Sequence, residues 1–323
     1  MDLLTNLFLG QPLWMWLGFL GLVIALLAFD LGVLHRDGHE IEVRESLLLS
    51  GFYIALGLAF GGLVWWQLGA QSGVEYLTGF VVEKSLAMDN VFVIAMIFGY
   101  LAIPRHLQHR VLFWGILGVI VLRAIMIGLG ATLVSEYGWI LYIFAAFLIF
   151  TGIRMLMIGH EETDLSQNPV LLFMKKRFRV TETLRGDRFF VRQVDPATGR
   201  IERYMTPLFL ALVMIEIADV IFAVDSVPAI FAITTDPYIV YTSNIFAILG
   251  LRALYFALAA IIHRFAYLKQ ALAVLLVFIG SKIFLADLLG WDKFPAEWSL
   301  TITAVILASG IAYSLWRTAR PQH

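Results

Sequence analysis

Apolar residues run along this chain in long blocks, and polar residues collect in the gaps. Nine blocks approach the length of a membrane-crossing helix: 13–34, 47–68, 76–99, 111–134, 138–158, 207–233, 239–262, 268–289 and 298–316. A helix rising about 1.5 Å per residue needs about 20 apolar residues to cross the hydrocarbon core. Each block therefore predicts one span, and the chain reads as an all-α polytopic membrane protein of about nine transmembrane helices. Residues 1–158 hold spans 1–5, residues 159–205 form a loop, and residues 206–323 hold spans 6–9. The first block is no signal peptide: the first basic residue is Arg36, and the block is too long for an h-region. Within the loop, NPVLLFMKKRFR (168–179) mixes apolar and basic positions and predicts a helix lying on the membrane surface. FFVRQV, DPATG and RIERY then predict a β-hairpin. This segment is expected to act as a cytoplasmic cap or a docking surface for a partner.

Composition supports the bilayer. Apolar residues make up 60% of the chain, charged residues 15%, and mean hydropathy is +0.85, against about 25% charged in soluble domains. A soluble fold cannot hide that much apolar surface. The net charge is −1, too small a field to recruit nucleic acid. There is no cysteine, which removes disulfides, thiolate metal sites and cysteine nucleophiles. The basic residues alternate by side. The 1–2, 3–4, 5–6 and 7–8 loops and the tail hold 17 of the 23 Lys and Arg, whereas the N-terminus and the opposite loops hold only Lys293. That asymmetry predicts the N-terminus outside and the C-terminus inside. With no transit sequence, a bacterial inner membrane fits best.

The middle of the chain repeats itself. Glu83-Lys-Ser-Leu-Ala-Met-Asp89-Asn90-Val91 lies over Asp219-Val-Ile-Phe-Ala-Val-Asp225-Ser226-Val227. The next helices end in Arg123-Ala124 and Arg252-Ala253. The third pair carries Phe150-Thr-Gly152-Ile-Arg154 and Phe278-Ile-Gly280-Ser-Lys282. Spans 3–5 (76–158) thus correspond to spans 6–8 (207–289). Three spans per unit predicts an inverted-topology repeat, an architecture that places substrate sites at the repeat interface.

Six carboxylates within spans are candidate site residues: Asp30, Glu83, Asp89, Glu216, Asp219 and Asp225. Each costs roughly 2.5–3.5 kcal/mol at a span centre, and intramembrane acids commonly mark an ion or proton route. Asp30 stands near the end of span 1 and is either a site residue or an interfacial cap. Arg123 and Arg252 are deep. Each either pairs with an acid of its own repeat and orients it, or repels a cation and helps release it. Lys84 and Lys282 are expected within reach of the outer face, and Arg154 near the inner one. Asp219 and Asp225 are six residues apart, about 120° around a straight helix. Pro228 removes the partner of the Val224 carbonyl, so an unwound turn is expected at Val224–Pro228. The candidate ligands are carboxylates, Asn90, Ser226 and backbone carbonyls, all hard oxygens suited to Mg²⁺, Ca²⁺ or Mn²⁺. The histidines lie in or beside loops. Met88 adds a thioether that favours Mn²⁺, although packing is its commoner role.

EKSLAMDNVFV, the long basic loop with FFVR, and EIADVIFAVDSVPAIFAITTDP followed by YIVYTSNIFAILGLRALYF resemble the TerC family, most closely its Alx-type members. The likeness runs from about Asp30 to Asp287. Ile217-Ala218 is its one noted departure. The family resembles a wider LysE-like superfamily of exporters and is associated with Mn²⁺ export. The resemblance implies metal-site roles for Glu83, Asp89, Asn90, Glu216, Asp219, Asp225 and Ser226, and narrows the cargo toward Mn²⁺. It implies no prosthetic group. No ATPase motif is present, so no ATPase in this chain drives transport; exchange with protons is one energy source this leaves open, with the crowded carboxylates titrating as a coupled set.

Three other readings compete. HExxH and GxSxG are absent, and a paired-aspartate hydrolase does not explain the further acids, so the chain is not expected to be an enzyme. A non-transporting partner, or a metal sensor or loader for a secretion or metal-homeostasis complex, would use the 159–205 loop. A Ca²⁺ carrier would use the same oxygens. Tellurite is an anion and does not suit them.

Overall fold

The computed structural model describes residues 6–34, 43–158, 169–181, 183–194, 199–259, 267–291 and 293–319. A small N-terminal ribbon pairs β1 (Leu7–Phe8) with β2 (Gln11–Pro12). Five long helices follow: α1 (Leu13–Leu34), α2 (Val43–Leu68), α3 (Ala70–Tyr100), α4 (Arg105–Glu136) and α5 (Ile140–Ile158). A peripheral unit holds α6 (Pro169–Arg177), β3 (Phe190–Val194) and β4 (Ile201–Met205), with β3 and β4 antiparallel. Then come α7 (Pro207–Phe231), α8 (Pro237–Ile248), α9 (Leu251–Leu258), α10 (Leu268–Leu288) and α11 (Ala296–Ala319). Residues 159–168 and 195–198, in the expected loop and turn, lie outside the described residues.

The chain is an all-α polytopic membrane protein. Eight helical stretches are long and apolar enough to cross a bilayer, among them Pro237–Leu258, which joins α8 to α9. The remaining predicted span is α3. Its charges, Glu75, Glu83, Lys84 and Asp89, keep it out of that set. Such a helix tolerates hydrocarbon depth only when its polar face is covered by protein. Here α3 packs against α2, α7, α8 and α11.

Two local corrections concern helix continuity. The turn expected at Val224–Pro228 is not unwound: α7 is α-helical from Pro207 to Phe231, through Pro228. The break lies one span later, where Leu249 leaves helical geometry and Gly250 takes a left-handed φ of +79°. A side chain at Gly250 would strain this backbone, and its Cβ would strike the Tyr53 side chain, only 2.7 Å from the Tyr53 Cβ. The result is two half-helices end to end, in the most buried span of the bundle.

Apolar packing falls into three cores. One joins the C-terminal half of α3 to α4, α6, the start of α7 and α9. A second joins α5, α10 and the end of α7. A third joins α1, α2, the start of α3 and α8. The closest helix crossing is α5 with α10. A Cβ at Gly152 would lie 2.6 Å from the Ala273 carbonyl oxygen, and one at Gly280 would lie 2.5 Å from that of Ala145. These contacts are reciprocal: Gly280 stands to Ala145 as Gly152 stands to Ala273, at the same sequence offset. Likewise α4 packs along α7 as α8 packs along α3.

The crossing generates a stability prediction. Gly280→Ala forces a methyl group into the α5 backbone and is expected to cost about 1–3 kcal/mol. Gly18→Ala, which meets nothing within 4 Å, is expected to leave the midpoint unchanged or slightly raised. Thermal unfolding in detergent micelles compares the two. Equal midpoints would remove the close crossing.

Candidate functional site: an arginine held between two buried acids

Glu83 of α3 and Asp219 of α7 sit near the middle of their helices, at matching positions of the repeated motif. Arg123 of α4 binds both. Its Nε and Nη2 donate to the two carboxylate oxygens of Asp219 at 3.2 and 3.0 Å, a side-on bidentate pair. Its Nη1 donates to Glu83 Oε1, and reaches Ser226 Oγ at 3.1 Å and Asn244 Oδ1 at 3.3 Å. Arg123 is 1% exposed, Glu83 2% and Asp219 5%. Two amides complete the network: Asn90 Nδ2 donates to Asp219 Oδ1 and Asn244 Nδ2 to Glu83 Oε2, both at 3.1 Å. Ser226 also serves as a side-chain partner of Glu83. The pattern crosses over: the polar residue after Asp89 serves Asp219, and the polar residue after Asp225 serves Glu83.

Helix packing explains the gathering. α7 and α8 pack on α4, and α3 packs on both of them, so polar side chains from three helices reach the tip of Arg123. Breaking such a buried charge pair by removing one partner typically costs about 3–5 kcal/mol, because the remaining charge is left dry.

Other candidates lie apart from this centre. Glu216, one turn before Asp219, lies against Gly115 and Gly118 of α4, and any side chain at Gly118 would overlap its carboxylate. Glu216 Oε2 is buried and accepts no hydrogen bond from the described residues, and the same holds for Asn90 Oδ1. Asp225 is half-buried with Thr151 of α5 as its side-chain partner. A straight α7 points Asp219 and Asp225 to different neighbours, so the acids divide. Asp89 lies on α3, and its side chain is outside the described residues. Met88 is partly buried and packs against two of the apolar cores. Among the described residues, no three acids or histidines stand close enough together to hold a metal.

Arg252 corrects the expectation that each arginine serves its own repeat. It binds Asp30 of α1, outside both repeats, through the carboxylate at 2.8 Å and the backbone carbonyl at 2.7 Å. Tyr53 is a further partner of Asp30. Asp30 therefore belongs to this second buried pair and not to the central network. Arg123 does pair within its own repeat, through Glu83, and also across to Asp219.

Three features escaped the sequence. Lys84, expected near the outer face, is buried at the α8–α9 break. Its Nζ donates to the carbonyls of Ala247 at 3.0 Å and Leu249 at 3.3 Å. These carbonyls lose their helical partners where the chain unwinds, and the ammonium replaces them. Asn244 sits inside an apolar span with no repeat counterpart of its own type to announce it. Glu75 falls one residue before the predicted start of span 3, yet it is buried and bound by Lys293 at 2.6 Å and Gln71 at 3.1 Å. With Lys282, which is buried and bonded to Ser299 at 3.1 Å, Glu75 lines a cavity of about 540 Å³. Lys282 is thus also covered by protein.

The family model described as integral membrane protein TerC family matches residues 68–322. The chain belongs to the TerC family. An uncharacterized membrane protein of Rickettsia bellii is 46% identical over 302 residues, covering 94% of this chain and 97% of its own. A membrane protein of Myxococcus xanthus is 44% identical over 306 residues, covering 95% and 93%. Alx of Escherichia coli (strain K12), provisionally named a membrane-bound redox modulator, is 45% identical over 316 residues, covering 95% of each. No solved structure matches this TerC-family chain.

The helix break generates the second prediction. Lys84→Met keeps the apolar stem and deletes the ammonium, leaving two carbonyls unpaired. A loss of about 1–3 kcal/mol is expected, read by thermal unfolding. Amide exchange around Leu249–Leu251 should rise in the same variant. Unchanged exchange there would show that the lysine does not hold the break.

Proposed function

We propose that this TerC-family protein moves a divalent metal cation, Mn²⁺ foremost, out of the cell through the region around Glu83, Asp219 and Glu216, in exchange for protons. One observation carries the reading. Glu216 has a buried carboxylate oxygen with no partner among the described residues, beside a network already short of positive charge. Glu83, Asp219 and Glu216 against Arg123 amount to a formal charge of −2. The Lys84 ammonium is directed to backbone carbonyls instead. One divalent cation or two protons neutralise that deficit, which is the charge balance an exchanger needs. The spare acceptors, Glu216 Oε2 and Asn90 Oδ1, are hard oxygens of the kind Mn²⁺ accepts.

The inverted repeat belongs to this reading. The reciprocal glycine crossing of α5 and α10 and the crossed contacts of Asn90 and Ser226 support it. The orientation with the N-terminus outside, in a bacterial inner membrane, belongs to it as well. A chain without cysteine exerts no redox effect by thiol exchange; in this reading such an effect runs through the ions the protein moves. The peripheral α6–β3–β4 unit gives the alternative of a partner-bound metal sensor or loader its surface.

Elemental analysis of cells after an Mn²⁺ challenge tests the proposal. Cells expressing the wild type should hold several-fold less manganese than cells lacking it. Asp219→Asn and Glu216→Gln should abolish that difference at matched membrane levels, and Gly18→Ala should retain it. Collapsing the pH gradient should slow efflux. Equal manganese in all strains rejects Mn²⁺ export, and the same series with Ca²⁺ then tests the other cation.

A further inference from the structure

We infer that Arg123 is a tethered competitor for the transported cation: it fills the Glu83–Asp219 pair in this state and retreats to Glu216 when a divalent cation takes that pair. The inference rests on the function proposed above and specifies how its site is regulated.

The geometry supplies both seats. The first is occupied, with the guanidinium bonded to Asp219 through Nε and Nη2 and to Glu83 through Nη1. A divalent cation and the guanidinium repel each other and compete for the space between these carboxylates, so ion entry displaces Arg123. The second seat is Glu216, whose buried Oε2 has no partner among the described residues. It precedes Asp219 by one helical turn, about 4.5 Å along the axis. Gly115 lies by Ile215, Gly118 by Glu216 and Gly130 by Phe231, and Arg123 binds Asp219, so α4 and α7 run parallel. Helical side chains lean toward the N-terminus of their own helix. From α4, that lean carries Arg123 toward the level of Glu216. Gly118 and Gly115, about one and two turns back on α4, contribute no side chain there, and the Glu216 carboxylate fills the space beside Gly118. Asn90 supplies an independent sign of a missing ligand: it is 6% exposed, its amide donates to Asp219, and its Oδ1 is unpartnered among the described residues. A cation between Glu83 and Asp219 would use that oxygen.

Charge also balances. A divalent cation on Glu83 and Asp219, with Arg123 on Glu216, leaves no formal charge among the five groups. Were Arg123 only a structural strut, Glu216 could act only as a direct ligand of the cation, an outcome that the test below separates.

Mn²⁺ binding to the purified full-length protein in nanodiscs, followed by the electron spin resonance of free Mn²⁺, tests the idea. Arg123→Lys keeps a charge but loses the fork that spans two acids, and Arg123→Gln removes the charge. Size-exclusion profiles report folding, and Arg123→Lys carries the test if Arg123→Gln does not fold. Both variants should bind Mn²⁺ about tenfold or more tightly than the wild type, because the competitor is weakened. Glu216→Gln should weaken binding about tenfold in the wild type, where it removes the second seat, and should change little in the Arg123→Gln or Arg123→Lys background. Binding by the wild type that is unchanged or weakened by both arginine variants overturns the inference and leaves the transport reading intact. Equal weakening by Glu216→Gln in every background also overturns it, making Glu216 a direct ligand. No Mn²⁺ binding by any form removes the proposed function and this inference together.

Discussion

The Arg123 guanidinium, dry inside the helix bundle, has an acceptor at each of its three nitrogens, and its contacts with Glu83 and Asp219 organise this protein. The three residues come from α3, α4 and α7, and Asn244 adds α8. None of α3, α4 and α7 can shift by a turn without leaving a charge unpaired at a cost of several kcal/mol, and a shift of α8 would remove the Asn244 hydrogen bonds. The apolar cores around them are interchangeable in kind, since lipid tails are as apolar as leucine. Register inside the membrane is therefore fixed by polar contacts, and the hydrophobic surfaces follow.

The fold was largely legible because hydrocarbon thickness imposes a length that sequence displays directly. Block 13–34 coincides with α1 and block 268–289 with α10 to within a residue. The errors share a cause: periodicity does not show which backbone group loses its partner. Pro228 looked decisive because it lacks a donor, yet α7 continues through it in the support of the bundle. Gly250 looked ordinary among 26 glycines, yet its left-handed backbone splits a span. Only the three-dimensional closeness of Tyr53 and Lys84 marks it out.

At the site, the repeated motif announced Glu83, Asp219, Arg123, Asn90 and Ser226, and these five meet in space. Spacing along one helix could not say which neighbour each acid faces. Asp225 turns to Thr151 of α5, Asp30 is taken by Arg252, and Glu216 keeps an oxygen without a partner among the described residues. Asn244 and Lys84 carried no motif of their own, because an amide or an ammonium inside an apolar run is defined by the partner that another helix brings.

The α5–α10 crossing has a mechanical consequence. Where Gly152 and Gly280 meet the opposing backbone, the side chains of Val277 and Ile149 fill the space that a Cβ would need. Each glycine is a notch, and the opposing Val277 or Ile149 is the tooth seated in it. A joint keyed from both sides resists sliding along the helix axes. Neither helix can slide along the other without first lifting that side chain out of its notch, so α5 and α10 hold one common depth.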